Sequence, residues 1–462
     1  MSHHSIDPAA MEVRQSREYR QSLDFLYQRI NYERRPITNQ TDFRLRRMRR
    51  LMDRLGNPDR AMKIVHIAGT KGKGSTASMV AAMLQSAGET TGLYTSPHLQ
   101  YIEDRWRIDG VGPTPTELIE LVDMLRPLLA ELDANPRTAP TFFELTTAMA
   151  FLRFRQGNCS WAAVEVGLGG RLDSTNIVQP KVTAITTIGL DHQAILGDRV
   201  ELIAAEKAGI IKRGVPIISG VVNQESRRVI EEIAASRHAP LRQLGRDFSF
   251  SIHHPLEYDV PSNKWDTTFE FIDRHNEHHT NIELPLAGDH QAHNAALALE
   301  IMEELQAADL IKVNWDQRRC GLLSVTSSGR LQRILGSPEI ILDVAHNVDS
   351  IAALVNTLQQ RLHGRAISVV FACSGDKDGP EMVRLLGPLT SSLILTRFHK
   401  NPRCSLPESL GEVAESVVES VTICDDPHQA FKYAAAAAGQ DGVVVVCGSF
   451  FLVAEVMDFL EN

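Results

Sequence analysis

The feature that most constrains the fold of this chain is a glycine-rich turn between a predicted strand and a predicted helix. Residues 63–76 read KIVHIAGTKGKGST, so a mostly apolar stretch is followed by three glycines and two lysines within six residues. Backbone N–H groups of such a turn converge on one anion, and the helix N-terminus adds partial positive charge. The segment therefore predicts a site for nucleotide phosphate. Its candidate residues are Thr70, Lys71, Gly72, Lys73, Gly74, Ser75 and Thr76.

The turn is a shortened variant of the Walker A loop. A strict Walker A pattern needs a glycine five residues before Gly72 and a serine or threonine directly after Lys73, whereas these positions hold Ile67 and Gly74. A tight corner without a ligand is the structural alternative. A lysine flanked by glycines straight after a buried strand favours the phosphate site, and Lys73 is expected to reach the terminal phosphates.

Polar side chains also follow the next predicted strands. Ser96 and His192 each come at the end of such a strand, and Glu165 lies one residue before the end of the apolar segment 161–166. A carboxylate among apolar residues must be paired or bound to a metal, because desolvating it alone is too costly. Mg²⁺ takes oxygen ligands and suits a phosphate site. The alternatives are that Ser96, before a proline, starts a turn and that a lone histidine is structural.

Two further motifs have both a structural and a functional interpretation. Thr141 and Glu144 have the spacing of a capping box, and Phe142 and Phe143 between them either line a flat ring system or belong to the core. Lys207 ends a predicted helix, where it either complements the helix dipole or, if held near a metal, forms a carbamate with CO₂.

Composition limits the class of partner. The chain has 462 residues and a net charge of -9, which argues against nucleic acid or an anionic membrane as the main partner. In residues 44–55, RLRRMRRLMDRL, the apolar side chains have helical spacing, so the arginines are expected to form the solvated face of an amphipathic helix. The six cysteines are scattered and form no CxxC pair, as is typical of a reduced, cytoplasmic protein.

The order of predicted elements indicates an α/β chain of two domains. Residues 1–323 are expected to form a mainly parallel sheet domain that contains the phosphate loop, N-terminal helices and a small antiparallel β appendage at about residues 241–285. A small, polar segment follows. Residues 324–462 then alternate strands and helices, which predicts a smaller, Rossmann-like α/β domain.

Taken together, the motifs resemble those of the folylpolyglutamate synthase and dihydrofolate synthase family, within the Mur ligases. The resemblance extends over nearly the whole chain. It is carried by GTKGKGST at residues 69–76, TSPHL at 95–99, DRWRIDG at 104–110, TFFELTT at 141–147, EVGLGGRLDSTN at 165–176, GLDH at 189–192, GDHQAHNAALAL at 288–299, SGR at 328–330, LDVAHN at 342–347 and GSF at 448–450.

The resemblance implies an ATP-dependent ligase that joins L-glutamate to dihydropteroate or a reduced folate, acting as a cytoplasmic monomer. It implies two magnesium sites, a carbamylated lysine and a histidine important for catalysis. The residues that match are Ser96, Glu165 and His192 for magnesium; Asn294, Arg330 and Asp343 for ATP; Lys73, Lys207 and His346 for catalysis; and Thr141, Phe142, Phe143, Glu144, Leu172, Asp173 and Ser174 beside the pterin-bearing substrate.

Two other functions stay open on the sequence. A Mur-type peptidoglycan ligase would use the same chemistry on a UDP-sugar peptide, and a non-catalytic nucleotide switch would use the basic N-terminal helix to bind a partner. The chain also departs from the family pattern: Lys71 replaces the usual Asn, Val344 and Val348 replace Gly and Pro, and Gln193 stands where Thr is frequent. The extra charge of Lys71 is expected to alter nucleotide affinity.

Overall fold

The computed structural model describes residues 8–33, 45–135, 138–252, 265–326 and 328–461. Its strands are β1 Lys63–Ala68, β2 Thr91–Tyr94, β3 Trp106–Ile108, β4 Trp161–Glu165, β5 Val182–Ile185, β6 Ile217–Ser219, β7 Leu241–Gln243, β8 Ser249–Ile252, β9 Thr267–Ile272, β10 His278–Leu284, β11 Gln332–Ile334, β12 Glu339–Leu342, β13 Ile367–Phe371, β14 Ser392–Leu395, β15 Val421–Ile423 and β16 Val443–Cys447. Its α-helices are α1 Pro8–Gln15, α2 Arg17–Tyr27, α3 Leu45–Arg54, α4 Lys73–Ser86, α5 Pro115–Asp133, α6 Phe142–Gln156, α7 Gln193–Leu196, α8 Val200–Ala208, α9 Gln224–Ser236, α10 Asp289–Ala307, α11 Trp315–Leu323, α12 Val348–Arg361, α13 Gly379–Leu386, α14 Gly411–Glu415, α15 Pro427–Ala438 and α16 Phe450–Glu461.

The larger sheet has the strand order β3-β2-β4-β1-β5-β6-β7. All neighbouring strands are parallel except β3, which runs antiparallel to β2 at one edge. Because parallel strands end at the same edge, the segments after β1, β2, β4 and β5 meet at the carboxyl edge of the sheet. The prediction of a mainly parallel sheet that carries the phosphate loop is confirmed.

Helices cover both faces of this sheet, as a parallel sheet requires. On one face, α4, α10 and α11 pack over strand residues such as Val65 and Ala163. On the other, α5 and α6 pack over Ile64 and Val164. Adjacent strand residues therefore enter different cores, and β1 is apolar on both of its faces. This packing holds the phosphate loop on a rigid strand.

The antiparallel appendage is smaller than the sequence suggests. Strands β8, β9 and β10 form a three-stranded sheet, but β7 belongs to the large sheet, where it pairs in parallel with β6. The start of the appendage at residue 241 is therefore wrong, because three residues are too few to show a strand period. Residues 253–264 of the predicted appendage lie outside the described residues.

A buried ion network ties the appendage to helix α10. Arg274, in the β9–β10 turn, pairs with Glu300 at 2.7 Å and with Glu304 at 2.8 Å. Arg242 of β7 also reaches Glu304, at 3.2 Å. Glu300 is fully buried, so removal of its arginine would leave a carboxylate without compensation.

The second sheet has the order β11-β12-β16-β13-β14-β15. It is parallel except for β11, which runs antiparallel to β12. Two apolar clusters cover its faces, one with α12 and α13 and the other with α15 and α16. The prediction of a second, smaller α/β unit is confirmed.

The N-terminal helices pack against the first unit and touch the second. Met48, Leu51 and Met52 of α3 are buried, as the amphipathic pattern predicts. After α2, the carboxylate of Glu33 pairs with buried Arg105 at 2.5 Å. The backbone carbonyl of Glu33 accepts hydrogen bonds from Asn401 and Arg403 of the second unit, each at 3.4 Å. This short segment therefore bridges the two units.

Within the described ranges, no helix combines the length and the apolar composition needed to cross a membrane.

Candidate active site

The phosphate loop joins β1 to α4, and the segment after β5 braces it. Thr70 N donates to Thr187 O at 2.8 Å, and Lys71 N donates to Thr187 Oγ1 at 2.9 Å. Gly72 caps α4 with φ 81°, a left-handed conformation that favours glycine. The helix starts at Lys73, directly after this cap. The first N–H groups of a 14-residue helix thus face the loop.

Two polar side chains, of Thr76 and Asn294, lie at the phosphate loop. The buried hydroxyl of Thr76 has no hydrogen-bond partner within the described residues. Asn294, near the start of α10, packs so closely that a Cβ on Gly72 would lie 2.1 Å from its Oδ1. An unsatisfied buried hydroxyl is costly, so a phosphate oxygen is a suitable partner for Thr76.

Glu165, at the end of β4, faces the first turn of α4. Its Oε2 accepts a hydrogen bond from Ser96 N at 3.0 Å and lies 3.2 Å from the position of a Cβ on Gly74. Burial raises the pKa of Glu165, while the positive charge of Lys73 opposes that rise. No ion pair among the described residues involves Glu165. A buried carboxylate beside a serine therefore has the donor chemistry that Mg²⁺ prefers.

Lys207 lies in the last turn of α8, against the phosphate loop. It is 5% exposed, and its Nζ donates to Gly69 O at 2.8 Å. Burial, together with the positive charge of Lys73, lowers the pKa of Lys207 to about 7. Near neutral pH a large fraction of this amine is therefore uncharged, and the uncharged amine is the form that reacts with CO₂.

The segment after β5 carries Asp191 and His192. His192 has a left-handed φ of 52°, and its side chain is 44% exposed. Its backbone N donates to Asp191 Oδ1 at 2.9 Å. Burial alone raises the pKa of Asp191, but the positive charges of His192, Lys377 and Lys71 lower it well below its usual range. Asp191 is therefore ionised throughout the physiological pH range.

The second unit places Asp343 and His346 after β12. Asp343 accepts hydrogen bonds from Leu331 N and Ala345 N, each at 2.8 Å. His346 Nδ1 donates to Val344 O at 2.9 Å, since a carbonyl oxygen only accepts. Desolvation lowers the pKa of His346 to about 3. The ring is therefore neutral at pH 7, and its Nε2 has a free lone pair.

Arg330 of the second unit lies over the ring of Phe450, with its guanidinium carbon 5.6 Å from the ring centroid. Its positive charge opposes the rise in the pKa of Asp343 that burial causes, and it also lowers the pKa of Lys71 in the phosphate loop. Charged residues of both units therefore border one crevice, between the phosphate loop and the segment after β12.

Comparison with known proteins identifies the family. Residues 67–302 match the Mur ligase middle domain, and residues 329–450 match the Mur ligase, glutamate ligase domain. The dihydrofolate synthase/folylpolyglutamate synthase of Bacillus subtilis (strain 168) is 34% identical over 432 residues, which cover 90% of this chain and 95% of that protein. This chain belongs to the folylpolyglutamate synthase/dihydrofolate synthase family of Mur ligases. It is accordingly an ATP-dependent ligase.

Solved structures of the family agree over the whole chain. Mycobacterium tuberculosis folylpolyglutamate synthase complexed with ADP has a TM-score of 0.84 and 31% identity, and the match covers 96% of this chain and 98% of that one. Escherichia coli FolC in complex with DHPP and ADP has a TM-score of 0.79 and 29% identity, covering 96% and 97%. Both relatives are nucleotide complexes, which supports a nucleotide site in this family member.

The structure divides the predicted substrate set into buried and accessible side chains. Thr141 and Glu144 satisfy each other in the capping box that starts α6, and Arg47 pairs with Glu144 at 2.6 Å. Phe142 is fully buried and stacks on Tyr27 with ring centroids 5.3 Å apart. These side chains are buried, which agrees with the structural interpretation of the motif. The sequence left both interpretations open, because the partners Arg47 and Tyr27 are distant in the chain.

The other predicted substrate residues include both accessible and buried side chains. Phe143 is half-buried, and its ring lies 2.3 Å from the position of a Cβ on Gly167. Leu172 and Ser174 are also half-buried. Asp173 is buried and caps the turn after it, accepting from Thr175 N at 2.9 Å. Phe143, Leu172 and Ser174 are thus the accessible members of the set, and Asp173 holds the backbone of that loop.

Three residues at the crevice were not assigned roles from the sequence. Asp191 accepts hydrogen bonds from Lys377 Nζ at 2.9 Å and from Asn347 Nδ2 at 3.3 Å, and Lys71 Nζ is 3.8 Å away. The sequence signal was a polar residue after a strand, which Asp191, Asn347 and Lys377 all show. Their mutual contact could not be deduced, because the strands belong to different sheets.

Proposed function

We propose that this enzyme uses ATP to join L-glutamate to a pterin-bearing carboxylate, either dihydropteroate or a reduced folate. The observation that carries the proposal is the phosphate loop, with the unpartnered hydroxyl of Thr76 and the buried Glu165, in a crevice closed by residues of the second unit. The relatives named dihydrofolate synthase/folylpolyglutamate synthase support both substrates.

A carboxylate does not acylate an amine at neutral pH, because its oxygen is a poor leaving group. We therefore infer two steps. The substrate carboxylate attacks the γ-phosphorus of ATP, so that an acyl phosphate forms and ADP leaves. The amine of glutamate then attacks the acyl carbon, the bond to phosphate oxygen breaks, and the amine loses a proton. The amide and inorganic phosphate are the products.

The loop residues are assigned to the phosphates, with Lys73 opposing the charge that builds up on the transferred group. Asn294, Arg330 and Asp343 are assigned to ATP. His346 is neutral, and its Nδ1–H is held by Val344 O, so its Nε2 is suited to accept a hydrogen bond from the incoming amine. Its low pKa makes it a positioning group rather than a strong base.

The side chains of Ser96, Glu165 and His192 would hold Mg²⁺, which supplies charge neutralisation at the phosphate oxygens when bound. Glu165 supports this assignment, because it is a buried carboxylate without an ion pair among the described residues. A second magnesium is assigned to a carbamate on Lys207. The neutral amine of Lys207 would form a bond to the carbon of CO₂ and lose a proton, which leaves an anionic carboxylate in place of a cation.

For the pterin-bearing substrate we assign Phe143, Leu172 and Ser174. Leu172 lines a shallow, mostly apolar cleft together with Leu168, Ile195 and Leu196. Its cavity of about 20 Å³ is too small for a flat ring, so the assignment rests on the resemblance to the family and on the exposure of the three assigned side chains. We take residues 1–323 and 324–462 as the two domains, named below the central and C-terminal domains, and expect a monomer, because one chain supplies both sides of the crevice.

The test is a phosphate-release assay with ATP, Mg²⁺ and L-glutamate. Phosphate released in the presence of dihydropteroate or tetrahydrofolate, with one glutamate incorporated for each phosphate, supports the proposal and tells which acceptor is used. Release with a UDP-muramyl acceptor alone would contradict it and favour a peptidoglycan ligase. Absence of turnover with every acceptor would favour a nucleotide switch.

A further inference from the structure

Asp191 is contacted by side chains of both domains. It follows β5 in the central domain, and its carboxylate accepts from Lys377 Nζ at 2.9 Å and from Asn347 Nδ2 at 3.3 Å, both in the C-terminal domain. Lys71 of its own domain lies 3.8 Å away. The side chains of Asp191 and Lys377 are only 11% and 13% exposed. A pair so shielded from water is stronger than a pair on the open surface.

The donors from the C-terminal domain are held in place by their own elements. Asn347 caps α12, and its Oδ1 accepts from Ser350 N at 3.1 Å, which leaves its Nδ2 for Asp191. Lys377 lies in a turn after β13, where its N donates to Ser374 O at 3.0 Å. Neither donor needs a large rearrangement to reach the carboxylate.

The partner carboxylate is equally fixed. The backbone of the segment before Asp191 holds the phosphate loop, since Gly189 N donates to Thr70 Oγ1 at 3.0 Å. A would-be Cβ on Gly189 lies 3.4 Å from Asp349 Oδ2 of the C-terminal domain. The two domains thus meet at the segment that braces the phosphate loop, and Asp191 forms an ion pair across that contact.

We propose that Asp191 is a positioning residue that holds the C-terminal domain closed over the phosphate loop through Lys377 and Asn347. This inference rests on the proposed function for its catalytic consequence. Closure limits the access of water to the acyl phosphate. When water attacks instead of glutamate, its oxygen bonds to the acyl carbon, the bond to phosphate oxygen breaks and a proton is released. ATP is then consumed and the original carboxylic acid is returned.

Three substitutions test whether an effect comes from losing the contact between the domains or only from losing a charge. Asp191→Asn and Lys377→Met remove the attraction between the domains. Arg384→Met is the control, because it removes a cation from an exposed pair within the C-terminal domain, with Glu381 at 3.0 Å, and leaves the contact between the domains intact. For each variant we would measure phosphate release and glutamate incorporation with whichever of dihydropteroate and tetrahydrofolate supports turnover. The phosphate released in excess of incorporated glutamate, divided by incorporated glutamate, gives the ratio of hydrolysis to ligation of the acyl phosphate.

We expect this ratio to rise about tenfold in Asp191→Asn and Lys377→Met, equal to ~1.4 kcal/mol in relative barriers, and to stay unchanged in Arg384→Met. Small-angle scattering of the nucleotide-free proteins should show a larger radius of gyration for the first two variants only. An unchanged ratio and radius in Asp191→Asn would overturn the proposal. Equal effects of all three substitutions would also overturn it.

A direct role of Lys377 in binding glutamate gives a different result. Lys377→Met would then raise the KM for glutamate, whereas Asp191→Asn, which removes a negative charge, would not. That outcome, with an unchanged radius of gyration in both variants, refutes the proposal that Asp191 holds the domains closed. If the wild type ligates no glutamate, the proposed function fails, but the scattering experiment still decides on closure by the same comparison of Asp191→Asn with Arg384→Met.

Discussion

Gly72→Ala tests whether the phosphate loop depends on a left-handed residue that touches Asn294. Gly72 has φ 81°, and an added Cβ would lie 2.1 Å from Asn294 Oδ1. This conformation destabilises the folded state by about 1–2 kcal/mol when an L-residue adopts it. Alanine also lowers the entropy of the unfolded chain, which stabilises the folded state by about 0.4–1 kcal/mol. Displacing Asn294 also weakens its 3.1 Å hydrogen bond to Gln291, for about 1 kcal/mol. The sum is a loss of roughly 2 kcal/mol.

Gly88→Ala is the matched control. Gly88 has φ 92° just beyond the C-terminal end of α4, and nothing lies within 4 Å of its would-be Cβ. The same backbone terms apply without a collision, so the loss should be about 1 kcal/mol or less. Only Gly72→Ala should also weaken the binding of ADP, by tenfold or more, because only its Cβ displaces a predicted nucleotide ligand.

Thermal unfolding and calorimetric titration with ADP measure these two effects. The reasoning predicts a lower melting temperature for both variants and a weaker Kd for Gly72→Ala alone. The double variant Gly72→Ala/Asn294→Ala should regain part of the lost stability, since the colliding oxygen is gone. If Gly72→Ala binds ADP as tightly as the wild type and melts at the same temperature, the loop does not need this conformation and the argument is refuted.

Further predictions concern the lysines and the ion network. Lys73→Ala should abolish ATP turnover while Lys71→Ala only weakens nucleotide binding; equal damage in a steady-state assay would contradict the assignment. Folding lowers the pKa of Lys207 from 10.5 to about 7, so the unfolded chain binds more protons between these pH values, and stability should rise with pH there. Lys207→Met should flatten that rise in melting temperature in CO₂-free buffer, and a parallel curve would refute burial as the cause. Arg274→Met should cost about 1–3 kcal/mol because it leaves Glu300, whose pKa burial raises to about 8, as an unsatisfied buried polar group. Arg228→Met in a surface pair should cost less than about 1 kcal/mol in denaturant unfolding.

The parts of the fold that sequence predicted well have a strong local cause. A strand is predicted directly before the phosphate loop, and β1 is found there, because its apolar run ends at a glycine turn. The prediction that Glu165 is a buried carboxylate also agrees with the structure, since five apolar neighbours surround it in the sequence and burial follows. The short strands β3, β6 and β11 have three residues each and were missed, because three residues carry no measurable period.

The parts that were missed depend on contacts between distant segments. Phe142 and Phe143 are adjacent in one motif, yet only Phe143 is accessible, because Tyr27 stacks on the other ring. Lys377 lies 186 residues from Asp191, and no local pattern pairs them. Residue types and strand ends therefore predict which chemistry collects at a sheet edge. They do not predict which side chain meets which.

The bridging segment after α2 has a consequence for how the protein is made. Glu33 emerges from the ribosome early, but the donors that satisfy its carbonyl, Asn401 and Arg403, are synthesised 368 and 370 residues later. The start of the polypeptide therefore acquires its final partners only when translation is almost finished. Nascent chains that stop before residue 401 should leave this segment open to proteases, even when the phosphate loop is already formed.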